Sequence, residues 1–175
     1  MSPNYANKKG KKNNPFPNSF IGEYNFTVDS RGRTNFPAPF RHALSPESRE
    51  RLVLAKGVEE CVVVFPRDVW EKLQSENLPS LFSPQKHRIV RRHLYHGARE
   101  SGFDAQGRIT IPPRLLALAK IDKEVLIVGE GDRAMIWNPE IYDKLIQEEA
   151  PLVKDLIEEI HNPAAGKAGG AAGGA

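Results

Sequence analysis

The sequence is poor in cysteine and has no long apolar run. Cys61 is its single cysteine, so the chain cannot form an internal disulfide, and a reducing compartment is the expected environment. No apolar stretch approaches the roughly 18 residues that a membrane span needs, and no apolar segment follows the basic N-terminus as it does in a signal peptide. We therefore expect a cytoplasmic protein without a membrane partner.

Residue patterns that carry catalysis or bind metals are also missing. The segment Gly129–Asp132 lacks the strand, glycine-rich turn and helix of a phosphate-binding loop and fits a hairpin turn instead. Cys61 lies within an apolar strand, which suits a core residue better than a nucleophile. His87, His93 and His96 have neither a carboxylate nor a cysteine at ligand spacing. We expect neither an enzyme nor a cofactor, a metal site or a small-molecule substrate.

The net charge of +3 is unevenly distributed along the 175 residues. Residues 1–18 carry four lysines and no acid, and the body at 19–139 holds 18 basic and 15 acidic residues. Residues 140–161 hold two lysines against seven acids. A polyanion would therefore meet local basic loops on a nearly balanced body, and charge alone does not establish DNA binding.

One short motif occurs twice, and the rest of the sequence repeats around it. Val28–Arg33 reads VDSRGR and Phe103–Arg108 reads FDAQGR, so the aspartate, glycine and arginine recur after 75 residues. A proline follows at the same offset, Pro37 in the first copy and Pro112 in the second. Each copy has about 45 residues, which is too few to bury a sheet well alone. Two copies packed about a pseudo-twofold axis would supply the missing core.

Each motif is predicted to be the turn of a β-hairpin. In the first copy, alternating apolar and polar residues over 22–28 indicate a half-buried strand. Asp29–Gly32 suits a type I turn, residues 33–36 form the returning strand, and a proline starts a short helix. The further predicted strand pairs are 52–54 with 61–65 and 125–128 with 134–137, and the predicted short helices are 37–44, 67–74, 114–119 and 140–146.

Composition divides the chain into six segments. Residues 1–18 are predicted to be a disordered basic extension, and residues 163–175 are predicted to be a disordered tail rich in Gly and Ala. The segments between them are a first repeat at 20–73, a basic linker helix at 83–97, a second repeat at 98–146 and an acidic helical segment at 147–162.

Two predicted helices outside the repeated strands carry opposite charge. The linker helix bears Lys86, Arg88, Arg91 and Arg92, and its basic face suits phosphates, an acidic neighbouring subunit or solvent. Ile89, Val90 and Leu94 are predicted to form its buried face. The C-terminal segment is acidic and amphipathic, and Pro151 predicts a kink or a division into two helices. Such a stripe often packs against its own body, but the more specific expectation is that it packs between subunits.

These motifs resemble those of the MraZ family of bacterial transcriptional regulators. Gly22–Arg33, Asp104–Pro112 and Val128–Trp137 carry the resemblance, which covers about residues 19–150. An isolated Asp-x-x-x-Arg motif is a weak signal, whereas two copies at matched positions, each followed by a strand, a proline and a helix, are a strong one. The returning strand Thr34–Phe36 is more polar than is usual in that family.

The resemblance implies an α+β fold in which tandem AbrB-like (SpoVT-AbrB) repeats form a pseudo-twofold swapped-hairpin, or double-split, β-barrel with short helices. It also implies a ring-shaped homo-oligomer, associated with the nucleoid, that binds double-stranded DNA at promoter direct repeats upstream of its own division and cell-wall operon. The implied DNA-binding residues are Arg31, Gly32 and Arg33 in the first loop and Gln106, Gly107 and Arg108 in the second. Asp29 and Asp104 are implied to shape the loops without contacting DNA.

Arginines at a hairpin tip suit this role because a guanidinium binds guanine or phosphate through paired hydrogen bonds. Gly32 is expected to let the backbone approach the polyanion and to offer its N–H. Alternatively, Asp29 and Arg33 simply pair across the turn. Two other functions stay open, namely an antitoxin-like DNA-binding partner of a toxin and a ring-forming scaffold that binds proteins. The sequence sets neither the operator, the subunit number, the direction of regulation nor the role of the basic extension.

Overall fold

The structure is a computed structural model that describes residues 18–77 and 83–161. The predicted Gly/Ala tail and nearly all of the predicted basic extension lie outside these residues. Asn18, the last residue assigned to that extension, is buried, and its side-chain Nδ2 donates to Asp68 Oδ2 at 2.8 Å. Asn18 therefore belongs to the folded body.

Short strands alternate with short helices along the described residues. The strands are β1 (Glu23–Thr27), β2 (Arg33–Asn35), β3 (Leu52–Lys56), β4 (Cys61–Pro66), β5 (Arg99–Ser101), β6 (Arg108–Thr110), β7 (Glu124–Gly129) and β8 (Ala134–Trp137). The α-helices are α1 (Ala38–Ala43), α2 (Arg67–Lys72), α3 (Pro84–Tyr95), α4 (Pro113–Leu118) and α5 (Pro139–His161). A 3₁₀ turn lies at Pro46–Ser48, and α2 continues as a π-helical turn at Leu73–Asn77. The fold is α+β, as predicted.

The strands form one antiparallel sheet and one two-stranded ribbon. The six-stranded sheet has the order β1-β7-β8-β4-β3-β5, and β2 pairs with β6 in the ribbon. Each strand of the first repeat corresponds to the strand four places later, β1 to β5 and so on. If every strand is replaced by its counterpart, the sheet order becomes β5-β3-β4-β8-β7-β1, which is the same order read from the other edge. The ribbon of β2 and β6 is also unchanged by this exchange. The strand arrangement therefore has twofold symmetry in the two repeats.

The prediction that β1 and β2 form a hairpin is wrong. β1 pairs with β7, from Glu23 opposite Val128 to Thr27 opposite Glu124, while β2 pairs with β6 of the other repeat. In the second repeat β5 pairs with β3, so the two copies exchange strands in both directions. The exchange lets each short strand bury apolar surface that its own repeat is too small to cover. The predicted pairs β3 with β4 and β7 with β8 are confirmed.

The sheet is buried on both faces. Val62 and Val64 of β4 face one apolar cluster, and Cys61, Val63 and Phe65 of the same strand face another, as the two-residue period of a strand requires. The ribbon, α1 and α4 contribute to the first cluster, and α2, α3 and α5 contribute to the second. The ribbon and the C-terminal helix therefore pack on opposite faces of the sheet.

The cysteine occupies the core, as the sequence predicted. Cys61 is 1% exposed within the second cluster. Burial raises the pKa of its thiol to about 12, and a thiol that stays protonated is a poor nucleophile.

The linker helix differs from its prediction at one residue. Val90 and Leu94 are half-buried, and Leu94 packs against the second cluster. Ile89 is 59% exposed, so its assignment to the buried face is wrong. The reason is that α3 lies on the surface and touches the body along one edge, so its apolar positions are not all covered.

The C-terminal helix is continuous. The predicted alternative of two separate helices is therefore wrong. α5 runs from Pro139 to His161 with Pro151 inside it, and it joins the predicted 140–146 helix to the predicted acidic segment. Proline removes the hydrogen bond that its nitrogen would donate to the carbonyl of Gln147. Gln147 is exposed, so water can satisfy that carbonyl and the helix continues. No helix of the described residues is long and apolar enough to cross a membrane.

Candidate nucleic-acid interface

The first Asp-x-x-x-Arg loop is organised around one carboxylate. Asp29 Oδ1 accepts hydrogen bonds from the backbone N–H groups of Arg31 and Arg33, both at 2.9 Å. Asp29 Oδ2 accepts from Arg33 Nε at 2.8 Å and lies 2.7 Å from Nη2 of the same guanidinium. The Asp29 N–H donates to the Arg33 carbonyl at 2.9 Å. These contacts close the loop and fix the orientation of Arg33, while Arg31 is exposed.

The second loop repeats this pattern with one difference. Asp104 Oδ1 accepts from the N–H groups of Gln106 and Arg108 at 2.9 Å, and Asp104 Oδ2 accepts from Arg108 Nε at 2.7 Å. In addition, Arg108 Nη2 donates to Gln106 Oε1 at 3.2 Å. The ion pair across the turn, one of the alternatives from the sequence, is thus present in both loops. The exposed position that holds the positively charged Arg31 in the first loop holds the neutral Gln106 in the second.

The ion pairs keep both aspartates charged. The side-chain hydrogen bond from Arg33, followed by its backbone N–H, lowers the pKa of Asp29 from 3.8 to about 2. The pKa of Asp104 is also lowered, chiefly by the backbone N–H of Arg108. The same hydrogen bond to Asp29 raises the pKa of Arg33. Each Asp–Arg pair is therefore electrically neutral at neutral pH, and Arg31 alone makes the first loop positive.

The two glycines close the loops and do not offer their N–H groups outward. Gly32 and Gly107 are buried, with φ of +75° and +74°, and each N–H donates to the carbonyl of its loop aspartate at 2.9 Å. The expectation that Gly32 presents its N–H to a polyanion is therefore wrong, because the turn already uses that donor. A Cβ at Gly32 would lie 2.7 Å from the Ile111 carbonyl oxygen, so the position also needs glycine for space.

The ribbon brings the two loops together on one surface. Its register places Arg33 opposite Thr110, Thr34 opposite Ile109, and Asn35 opposite Arg108. Side chains alternate between the two faces of a strand. The inner face holds Thr34 and Ile109, each 1% exposed. We call the outer face the ribbon face; it consists of Arg33, Asn35, Arg108 and Thr110.

The ribbon face places one ion-paired arginine near each end. Arg33 follows the first loop directly and Arg108 follows the second, and the strands run antiparallel. Two residue steps separate the arginines along the ribbon, or on the order of 7 Å. The pKa of Arg33 is raised mainly by its hydrogen bond to Asp29 and in small part by the charge of Asp104 in the second loop. Asn35 and Thr110 lie between these groups and were not identified from the sequence, since only the cross-repeat pairing puts them there.

Arg41 is a further basic residue at this surface that the sequence did not indicate. A Cβ at Gly107 would lie 2.6 Å from Arg41 Cζ, so the guanidinium rests on the backbone of the second loop. Arg41 Nε also donates to the Phe36 carbonyl at 3.3 Å. At the corresponding place in the first loop, the nearest side-chain atom to a Gly32 Cβ is Leu116 Cδ1 at 3.6 Å. The first loop thus combines Arg31 with a leucine, and the second combines a glutamine with Arg41.

The exchange between repeats explains why Arg41 was missed. Arg41 and Leu116 are 75 residues apart, the offset of the repeat, so α1 and α4 are equivalent helices. Each of them contacts the loop of the other copy. The sequence offset relates the two positions, but it does not show that the loop beside each helix comes from the opposite repeat.

Two of the three histidines in and after α3 make ordinary polar contacts, while His87 Nε2 is buried without a hydrogen-bond partner among the described residues. His93 Nε2 lies 2.9 Å from the Gly57 carbonyl oxygen, and His96 Nε2 lies 2.7 Å from Arg114 Nη2. Across residues 18–77 and 83–161, no group of three or more His, Cys, Asp or Glu side chains is arranged to hold a metal ion.

These features define a class of protein: two tandem strand–loop–strand–helix repeats that exchange strands and present aspartate-anchored arginines on a shared face. Comparison with known proteins identifies the family. The family model described as "MraZ protein, putative antitoxin-like" matches residues 19–92 and 94–160, one match for each repeat. The chain belongs to the MraZ family, which confirms the resemblance and the two-repeat organisation.

Three relatives share most of their length with this chain, and each is named transcriptional regulator MraZ. The protein from Carboxydothermus hydrogenoformans is 35% identical over 141 residues, covering 81% of this chain and 96% of its own. The protein from Cytophaga hutchinsonii is 31% identical over 144 residues, covering 82% and 95%. The protein from Heliobacterium modesticaldum is 33% identical over 141 residues, covering 81% and 96%.

Proposed function

We propose that this protein is a DNA-binding transcriptional regulator that binds double-stranded DNA through its two Asp-x-x-x-Arg loops and the ribbon face between them. The observation that carries the proposal is the register of β2 with β6, which turns Arg33 and Arg108 to one surface. The names of the three relatives support regulation of transcription as the outcome of that binding.

The ion pairs prepare the arginines for DNA without using up their donors. A guanidinium has five N–H donors, and Asp29 takes one from Nε and one from Nη2 of Arg33. The remaining three are available to phosphate oxygens or to guanine O6 and N7. Because Asp29 and Asp104 already hold the side chains, less conformational entropy is lost on binding. One bidentate contact to guanine contributes about 1–3 kcal/mol of discrimination.

The residues have different roles in this proposal. Arg31 and Arg41 add phosphate contacts at the first and second loop, and Gln106 contacts DNA at the position equivalent to Arg31. Gly32 and Gly107 close the loops, and Asp29 and Asp104 shape them. The protein itself has no catalytic role and acts in the cytoplasm, at the nucleoid.

The proposal extends to assembly and to the DNA target. The symmetric strand order supports a swapped-hairpin, double-split β-barrel. A ring-shaped homo-oligomer of such units would present several loop pairs, and effective concentration would then multiply a modest affinity per unit. Direct repeats upstream of its own division and cell-wall operon are the matching target, because repeated sites suit repeated loops.

Titration of labelled duplex DNA tests the proposal. One duplex carries the direct repeats from the region upstream of the protein's own gene, and the other carries the same bases in scrambled order. We expect tighter binding to the repeats, and loss of that preference in Arg33→Ala and in Arg108→Ala. Lys144→Ala is the control, because Lys144 is exposed on α5, on the opposite side of the sheet. Unchanged binding in both arginine variants would contradict the proposal, and a failure to bind either duplex would favour a protein-binding scaffold.

A further inference from the structure

The second half of α5 projects from the body. In its first two turns, Ile141, Tyr142 and Leu145 pack against the second core cluster. From Ile146 to Glu158 every residue is exposed. This part of the helix and Ile160 just beyond it carry large apolar side chains that are 46–76% exposed: Ile146, Leu152, Val153, Leu156, Ile157 and Ile160.

The exposed apolar residues lie on one side of the helix. Val153, Leu156, Ile157 and Ile160 follow the spacing i, i+3, i+4, i+7, which places them on a common face. We call residues 146–160 the arm and these side chains, with Leu152, the arm stripe. Contiguous exposed apolar surface of this kind marks an interaction site. The arm stripe therefore needs a partner that offers apolar surface.

The charge of the arm restricts that partner. Glu148, Glu149, Asp155 and Glu158 are exposed on the arm against the single Lys154. Glu149 lies one turn before Val153 on the side of the stripe, so a partner of the stripe also meets a negative charge, which disfavours a second acidic arm. The arm therefore fits a surface that is apolar in its centre and basic at its rim.

α3 offers that surface. Lys86, Arg88, Arg91 and Arg92 lie within it, and residues 84–95 contain no acid. Its exposed apolar side chains are Ile89, at 59%, and Tyr95, at 46%. Ile89 lies in a surface groove of about 280 Å³ whose other walls are Lys56, Arg92, His93 and His96.

Cations flank the exposed isoleucine of the groove. Lys86 and Arg92 flank Ile89 at helical spacing, so cations lie on both sides of the exposed isoleucine. Glu149 lies one turn before Val153 on the side of the arm stripe, so an arm side chain seated on Ile89 would bring Glu149 toward these cations. The arm stripe and Ile89 would then both be removed from water by the same contact.

We propose that the arm of one copy docks on the α3 groove of a second copy, with the arm stripe against Ile89 and Glu149 facing Lys86 and Arg92. The two surfaces are different parts of the chain, so the contact is head-to-tail and each copy can both donate an arm and accept one. Such a contact adds further copies until the assembly closes. The inference rests on the proposed homo-oligomer and names the surfaces that join its subunits.

Charge reversal tests the arm and the groove separately, because each variant changes only one of the two surfaces. The arm variant carries Glu149→Lys, and the groove variant carries Lys86→Glu and Arg92→Glu. The mass of the full chain is measured without DNA by light scattering and native mass spectrometry. We expect the wild type to be oligomeric and each variant to be monomeric at the same concentration. Lys123→Glu, at an exposed lysine between α4 and β7, is the control and should leave the mass unchanged.

Mixing the two variants gives the decisive outcome. The native arm of the groove variant fits the native groove of the arm variant, and the reversed arm of the arm variant fits the reversed groove of the groove variant. The mixture should therefore regain an oligomer that contains both kinds of chain. The arm change and the groove changes together in one chain should also restore the oligomer, since opposite charges face each other again. This restored variant also shows that the single variants were not simply unfolded.

Several results would overturn the inference. These are a monomeric wild type, wild-type mass in either variant, no oligomer on mixing, or a groove variant that keeps its mass and loses DNA binding. The last result would assign α3 to DNA. The mass is measured without DNA, and the variants do not change the Asp-x-x-x-Arg loops. The assembly test can therefore be interpreted even if the wild type fails to bind DNA. Wild-type mass in the arm and groove variants, together with normal DNA binding by the wild type, would reject the interface alone.

Discussion

Arg41 lies directly against Gly107, although the two residues belong to different repeats. The guanidinium carbon is 2.6 Å from the place that a Cβ on Gly107 would occupy, so only a glycine allows the contact. The contact supplies a cation beside the loop that has Gln106 where the first loop has Arg31. The two loops therefore reach a similar charge by different routes, one through its own sequence and the other through a helix of the opposite repeat.

Arg41→Leu should weaken DNA binding and reduce its salt dependence. The change gives the second loop the leucine that the first loop has, and it removes one phosphate contact. The slope of log K against log salt should fall by about 0.9 for that contact. Titration of repeat DNA at four or more salt concentrations measures it. Leu116→Arg is the reciprocal variant and should make the slope steeper. A slope that Arg41→Leu leaves unchanged would remove Arg41 from the interface.

Arg31→Gln should have the same kind of effect at the first loop. It makes the first loop resemble the second, so the salt slope should again fall by about 0.9, with little change in preference for repeats over scrambled DNA. Gln106→Arg should raise the slope. If Arg31→Gln instead abolished the preference and kept the slope, Arg31 would be reading bases and the assignment to phosphate would be wrong.

Gly32→Ala and Gly107→Ala should differ in their effects. Both force a side chain into the left-handed region, which costs about 1–2 kcal/mol. At Gly32 the new Cβ would also meet the Ile111 carbonyl oxygen, a backbone atom at 2.7 Å, so the loss of unfolding free energy should be larger. At Gly107 it would meet the mobile end of Arg41, so stability should fall less and DNA affinity should fall through displacement of that side chain. Urea unfolding and DNA titration measure the two effects.

A double variant tests whether Gly107→Ala lowers DNA affinity by displacing Arg41. In an Arg41→Leu background, Gly107→Ala should reduce DNA affinity by less than it does in the wild type, because the displaced group is already absent. Equal losses in both backgrounds would show that Gly107→Ala acts through the loop itself.

Protonation of Asp29 should destabilise the protein in acid. The pKa of Asp29 is lowered in the folded state, from 3.8 to about 2, so its stabilisation is complete above pH 4 and is lost as the pH falls toward 2. The difference in unfolding free energy between wild type and Asp29→Asn should therefore shrink over that interval. Urea unfolding between pH 6 and pH 2 measures it. Asp143→Asn, at an exposed carboxylate on α5, serves as the control. A difference that stays constant down to pH 2 would contradict the role of the Asp29–Arg33 pair.

Local chemistry made much of the structure predictable. The Asp-x-x-x-Arg loops and the proline-started helices depend on residues close together in the chain, and both appear where the sequence places them. The pairs β3 with β4 and β7 with β8 were also predictable, because a short turn joins each pair. The repeat offset made the equivalence of the two halves visible before any contact was known.

The sequence by itself determined the elements, the loops and the equivalence of the two copies. Only the tertiary structure decided that β1 pairs with β7 and β2 with β6, because a strand edge carries no local mark of which distant strand will cover it. That exchange turns Arg33 and Arg108 to one face and puts Arg41 beside Gly107. It follows from size: each repeat is too small to bury its own strands, so burial is completed across the copies.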